Sequence, residues 1–306
     1  MSFILLLEQM FNGLQLGVTL FLIAAGLTLI LGIMDFVFLA HGAQVMIGAY
    51  AAASLTALTG NFYLGILLAV LITFASGYLL EYLLIRHLYR RDHMDQVLAT
   101  FGLILFFNEL IRVGFGPAAL FSSLPPSLSG FVNILPETPY PVFRLLVIGV
   151  GLACALGIHF LVSRTRMGAM VRAGANNEAM TAALGVNIRV LRRAVFAAGA
   201  CFAGVAGMML GPLTAVEPGM GEPLLILSLV VIIIGGIGSV RGAFIAAILI
   251  GIVDTMGRVL LPVLLRSFMG QAAADGAGPA LASMMVYILM SLVLVVRPTG
   301  LFPPKG

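Results

Sequence analysis

The chain has 306 residues, 61% of them hydrophobic and only 9% charged, with a net charge of +4 and a mean hydropathy of +1.14. Soluble globular domains carry about 25% charged residues, so the composition excludes that class and predicts an all-α, polytopic membrane protein. The pI of about 9.4 does not argue for a nucleic-acid partner, because the arginines gather at the ends of apolar segments, where the positive-inside effect places them.

A membrane-crossing helix needs about 20 mostly apolar residues. Segments of this kind are predicted at 10–34, 41–58, 62–86, 96–113, 142–163, 194–213, 224–236, 243–262 and 281–297, giving about eight to nine membrane segments with glycine-broken helices. The seventh is short enough to be re-entrant. Met1 to Met10 holds Glu8 and no basic residue, and the apolar run continues past it, so this stretch reads as the start of a retained span and not as a signal peptide.

Glycines interrupt the apolar pattern between Asp35 and Tyr50, in DFVFLAHGAQVMIGAY. Irregular backbone at membrane depth is tolerated only inside protein or beside a water-filled cavity, which makes His41, Gly42 and Gln44 candidates for a translocation path or its gate. For His41 the alternative is a core histidine satisfied by carbonyls that the break frees.

The basic loop Arg86 to His93 and the arginine-rich segment 164–193 are separated by two spans, so both fit the cytoplasmic side. Between those spans, 114–141 carries Pro117, Pro125, Pro126, Pro136, Pro139 and Pro141 with no Lys or Arg, as a periplasmic loop would. Counting from these anchors puts the N-terminus outside and Arg297 with Lys305 inside, within one transmembrane domain covering 1–306.

Segment 164–193 has parts. Asn176 or Asn177 can cap a short helix, Glu178 suits the positive end of its dipole, and Gly185 stands where a C-terminal cap is expected. Met180, Ala183 and Leu184 then share one apolar face, away from Glu178 and Thr181. Such a short helix is marginal in water, so that face needs a cover, supplied either by the membrane domain and lipid headgroups or by a groove on a partner. The arginines Arg164, Arg166, Arg172, Arg189, Arg192 and Arg193 flank it.

Small residues recur every four positions at Gly199, Ala203, Gly207 and Gly211, and at Gly13 and Gly17, a spacing suited to close helix packing. A second glycine break, IIGGIGSVRGA from Ile233 to Ala243, adds Gly235, Gly236, Gly238 and Ser239 to the path or gate candidates. It is not a dinucleotide fingerprint, since Arg241 stands where a third glycine is needed. Among the ionisable groups at membrane depth, Glu109 with Arg112 and Asp254 with Arg258 have the spacing of paired helix neighbours, and Glu81 is expected to pair or snorkel near Arg86. Asp35 completes the set.

The sole lysine is Lys305, which excludes a Walker A loop and makes Schiff-base chemistry improbable. Cys154 and Cys201 lie apart in apolar stretches and read as core residues; no metal-ligand spacing and no GxSxG or HExxH motif occurs. The chain is therefore not expected to be an enzyme or to hold a metal.

LIAAGLTLILGI (22–33), LAHG (39–42) with MIGAY (46–50), MGAMVRA (167–173), AALGVN (182–187), GGIGSVRGA (235–243) and RPTGLF (297–302) together resemble the LivH-type permeases of branched-chain amino acid ABC importers, in order and over nearly the whole chain. The resemblance implies a bacterial inner-membrane, multi-pass subunit that forms a channel with a second, LivM-type permease. It further implies two cytoplasmic ATPase subunits, which bind ATP and Mg while this chain binds no cofactor, and a periplasmic substrate-binding protein. By the same resemblance Asn177, Glu178, Met180, Ala183, Leu184 and Gly185 occupy the place of the coupling helix. Branched-chain amino acids, urea, short amides or small organic acids are the implied cargoes. One departure stands out: Phe38 replaces an asparagine common in the family, removing a donor and an acceptor at membrane depth. The competing reading is an ion-coupled secondary transporter of a small organic solute, which would carry inverted repeats around a midplane site.

Overall fold

The computed structural model describes residues 3–135 and 138–302. Twelve α-helices run in order among these: α1 (Phe3–Met34), α2 (His41–Thr59), α3 (Phe62–Leu80), α4 (Arg86–Leu88), α5 (His93–Phe115), α6 (Val142–Arg164), α7 (Arg166–Asn176), α8 (Glu178–Ala183), α9 (Ile188–Leu210), α10 (Gly221–Gly235), α11 (Val240–Leu265) and α12 (Gln271–Val296). A π-helical turn, Glu81–Ile85, joins α3 to α4, so that Phe62–Leu88 forms one apolar rod. Among the described residues seven helices are long and apolar enough to cross a membrane. The 19-residue α2 and the 15-residue α10 are the other two predicted segments; at ~1.5 Å per residue α10 is about 22 Å long, short of the ~30 Å hydrocarbon core.

Burial separates inner from outer helices. In their most apolar windows α1 is 72% and α9 67% buried, whereas α5 and α12 are 11% buried, so α1 and α9 form the centre and α5 and α12 face outward. Glycines set the central contacts. A Cβ on Gly13 or Gly17 would lie 2.8 Å from the backbone of Ile252 or Ile248 in α11, and one on Gly207 would strike the Val45 carbonyl of α2. Gly199 faces Gly26 of α1 across the bundle. The small-residue stripes are thus packing seams, as their spacing predicted, except that Gly211 lies past the end of α9, where its would-be Cβ meets Val216 and carbonyls of its own turn and no other span.

The two arginine-rich stretches share one end of the bundle, where Arg193 of α9 meets Glu81. The proline-rich loop lies at the other end. There Leu120 pairs with Val216 and Tyr140 donates to Asn12 of α1. That loop is not wholly irregular, since β1 (Phe131–Leu135) and β2 (Thr138–Pro141) form an antiparallel hairpin. Pro139 and Pro141 fit there because a two-stranded hairpin is all edge, where missing N–H groups are tolerated. Pro136 and Lys305 lie outside the described residues.

Candidate functional site

The first break is shorter than the glycine pattern predicted. Only Asp35–Ala40 leaves the helix, with Asp35 at φ 47°, and His41 starts α2. Gly42 and Gln44 are helical because Gly42 serves close packing and not irregular backbone: its Cβ would lie 2.5 Å from the Gly221 carbonyl oxygen at the start of α10. The break turns back into the bundle, since His41 Nε2 lies 3.1 Å from the Ile23 carbonyl oxygen. Ile23 is eleven residues before Met34, so this contact lies about 16 Å inside the end of α1. His41 and Gln44 are fully buried; Ser76 Oγ donates to Gln44 Oε1 at 2.8 Å, while His41 Nδ1 and Gln44 Nε2 have no protein partner. Both residues therefore sit in packed core between α1, α2, α3 and α9, with hydrogen-bonding capacity in reserve. Phe38 fills the break, 4.8 Å from the Phe196 ring and 5.9 Å from the His41 ring.

The second break, Gly236–Ser239, needs its glycines, for Gly236 has φ 102° and Gly238 φ 82°. Gly235 is still helical and packs on Gly242, 2.5 Å from its would-be Cβ. Gly236 is covered by residues 299–302: Leu301 N–H donates to the Ile234 carbonyl at 2.8 Å and Phe302 N–H to that of Gly235 at 3.1 Å. Ser239 caps α11 by accepting from Gly242 N–H at 3.1 Å. Gly32 of α1 rests against Gly238, 2.7 Å from its would-be Cβ. The two breaks consequently border one cavity of about 1010 Å³ at the arginine-rich end, where Asp35, Gly238 and Ser239 face Arg172, Asn176 and Arg241. The sequence alone flags Asp35, Gly238 and Ser239, with Arg241 two residues on, but does not bring Arg172 and Asn176 to them, because no periodicity encodes the docking of α7 over the breaks.

Segment 164–193 holds two helices and not one. Thr165 caps α7 by accepting from Gly168 N–H at 3.1 Å, and Asn177, not Asn176, caps α8 by accepting from Met180 N–H at 2.9 Å. Glu178 pairs with Arg192 of α9, and Gly185 adopts φ 88° just beyond the helix, a left-handed position that glycine takes at little cost. Thr181 is the side chain turned inward, while Ala183 is exposed and Met180 and Leu184 are 60% and 77% exposed. The chain itself leaves the apolar face of α8 uncovered.

Glu81 does not pair with Arg86 as expected. Its carboxylate accepts from Arg193 Nε at 2.9 Å, while Arg86 lies over the Tyr82 ring, because the π turn carries Glu81 toward α9. Burial and then the Glu81 charge raise the pKa of the nearby Tyr89 hydroxyl, which stays a neutral donor to Glu81. The spacing-based pairs hold: Arg112 meets Glu109 at 3.2 Å, and Arg258 meets Asp254 at 2.8 and 3.0 Å and adds Ser283 at 3.1 Å. Among the described residues no three His, Cys, Asp or Glu side chains converge as a metal site would require.

Broken helices packed on glycine seams, with seven of them long and apolar enough to cross a membrane and both breaks bordering one open cavity, define a multi-pass α-helical membrane protein. The chain belongs to the family described as branched-chain amino acid transport system / permease component, whose model matches residues 9–294. It is 28% identical to the high-affinity branched-chain amino acid transport system permease protein BraD of Pseudomonas aeruginosa, over 96% of this chain and 95% of that one. It is 26% identical to the permease protein LivH of Escherichia coli strain K12, covering 98% and 96%, and 27% identical to a probable LivH of Methanocaldococcus jannaschii, covering 92% and 88%. No solved structure matches the chain.

Proposed function

We propose that the chain is the membrane subunit of an ATP-driven ABC importer that moves branched-chain amino acids or chemically related small solutes across a bacterial inner membrane. The observation that carries this reading is the capped helix α8, which offers Met180, Ala183 and Leu184 as an uncovered apolar face at the arginine-rich end. A six-residue helix is too short to stand alone in water, and a groove on a soluble ATPase supplies the missing cover. In this reading the arginine-rich end is cytoplasmic, the hairpin end is periplasmic, and a second permease packs against part of the outward-facing apolar surface. A periplasmic binding protein delivers the solute to the hairpin end.

The mechanism is alternating access. ATP-driven closure of two partner ATPases pushes on α8, which is tied to α9 by the Glu178–Arg192 ion pair. Helix α7, continuous in sequence with α8, lines the cavity that both breaks border, so displacement of α8 reaches Asp35 and Ser239 through one short lever. Six irregular residues and two left-handed glycines are where the backbone can change direction without breaking helical hydrogen bonds.

Leu184→Asp places a charge in the proposed groove contact without touching a span. The expected result is normal membrane insertion with loss of ATPase co-purification and at least about a tenfold fall in ATP-dependent uptake, the scale of one lost apolar anchor. Normal uptake by this variant would sink the docking role. Uptake by the chain reconstituted alone, driven by an ion gradient, would replace the importer reading with a secondary transporter.

A further inference from the structure

We propose that the arginine-lined cleft between the end of the α3–α4 rod and the start of α9 binds the phosphodiester headgroup of an anionic membrane lipid. The cleft has a volume of about 620 Å³ and gathers Arg86, Arg90, Arg91, Arg189, Arg192 and Arg193 around one carboxylate, Glu81. Two of these cations are already engaged, Arg193 with Glu81 and Arg192 with Glu178. Among the described residues Arg86, Arg90, Arg91 and Arg189 form no ion pair. Four guanidinium groups sharing one concavity repel one another until an anion enters. Phosphate oxygens match the guanidinium fork in geometry and charge.

Depth decides between a lipid and a soluble acidic segment. The rod Phe62–Leu88 has 27 residues, about 40 Å, against a hydrocarbon core of ~30 Å, so its last turn and Arg86 emerge among headgroups. Tyr78 and Tyr82, both partly exposed on that rod, lie under Arg193 and Arg86 with ring centroids 5.1 and 4.5 Å from the guanidinium carbons. Tyrosines of this kind mark the interfacial belt, and a basic concavity opening at their level takes a lipid phosphate from the side. The site is independent of which solute the permease carries.

Native mass spectrometry of the full-length protein in detergent tests this, with phosphatidylglycerol and phosphatidylcholine of identical acyl chains as probes. Adducts with phosphatidylglycerol but not phosphatidylcholine are expected. The triple variant R90Q/R91Q/R189Q should weaken that adduct by about a hundredfold, taking roughly fivefold per arginine near a charged surface, while the corresponding lysine variant keeps most of it. Should the triple variant fail to fold, R189Q alone, at an exposed position, should still show the fivefold loss. Equal retention of both lipids, or an unchanged adduct in the glutamine variants, would overturn the site. Displacement by millimolar inorganic phosphate would reassign it to a free anion, and an intact adduct with loss of ATPase co-purification would reassign the arginines to a protein partner.

Discussion

Removing the carboxylate of Glu81 and that of Asp275 should have unequal effects. Glu81 is 3% exposed and its partner Arg193 18%, whereas Arg266 and Asp275 are 47% and 44% exposed. An open pair of the second kind is worth about 1 kcal/mol at most. Glu81→Gln strands a half-enclosed guanidinium among Tyr78, Tyr82 and Tyr89 and should lower the unfolding midpoint in detergent clearly more than Asp275→Asn; equal shifts would show that water reaches the inner pair. Phe38 offers a second residue-scale test. It is buried against Phe196, and truncation to alanine should cost about 3–5 kcal/mol by opening a core cavity. Phe38→Asn opens the same cavity but brings an amide near the unpartnered Nδ1 of His41, so pairing between the two would make it milder than alanine, and a larger loss than alanine would show that they do not pair.

Helices of this chain meet on glycines, and the seam between α2 and α9 tests that rule. Gly207→Val should prevent assembly of the bundle, because even a Cβ collides with the Val45 carbonyl, whereas Gly149→Val should be tolerated because nothing lies within 4 Å of its Cβ. Comparable yields of both variants in detergent would refute the packing role. At α8, Asn177→Ala removes the cap to Met180 N–H and should cost about 1 kcal/mol of local stability, read as faster amide exchange at Met180 and Thr181. These elements also mark how much the sequence discloses. The long apolar helices, a cap at Asn176 or Asn177, the Gly185 end and the close-packing stripes are legible, because each rests on local periodicity or on one residue's backbone preference; the separate helix α7 is not. The partner of Glu81 was not, because a π turn redirects a side chain without any residue signature. Nor was the end of the first break at Ala40: a glycine such as Gly42 looks the same whether it frees the backbone or admits a neighbour. Gln96, whose Oε1 accepts from Val37 N–H at 3.2 Å and steadies that break, likewise gave no local sign.

Across the whole molecule the basic residues are concentrated toward one end. The proline-rich stretch 114–141 has no Lys or Arg, while 164–193 has six arginines within an exposed, partly helical segment. This asymmetry supports a cytoplasmic arginine-rich end. With Cys154 and Cys201 replaced by alanine, a cysteine at Ser123 should react with an impermeant maleimide added to intact cells, and one at Arg189 should react only after lysis. The reverse pattern would invert the topology and move α8 away from any cytoplasmic ATPase.

The capping of the last turn of α10 by Leu301 and Phe302, which donate to the Ile234 and Gly235 carbonyls, also bears on the order of synthesis. The backbone of the second break cannot be fully satisfied when α10 and α11 first leave the ribosome, because the carbonyls of Ile234 and Gly235 await donors translated after α12. Until residues 297–302 arrive, the region bordering the cavity is an open seam inside a nascent membrane protein. A chain that ends at Val296 would therefore carry every span and still leave the junction of α10 and α11 without its last two donors.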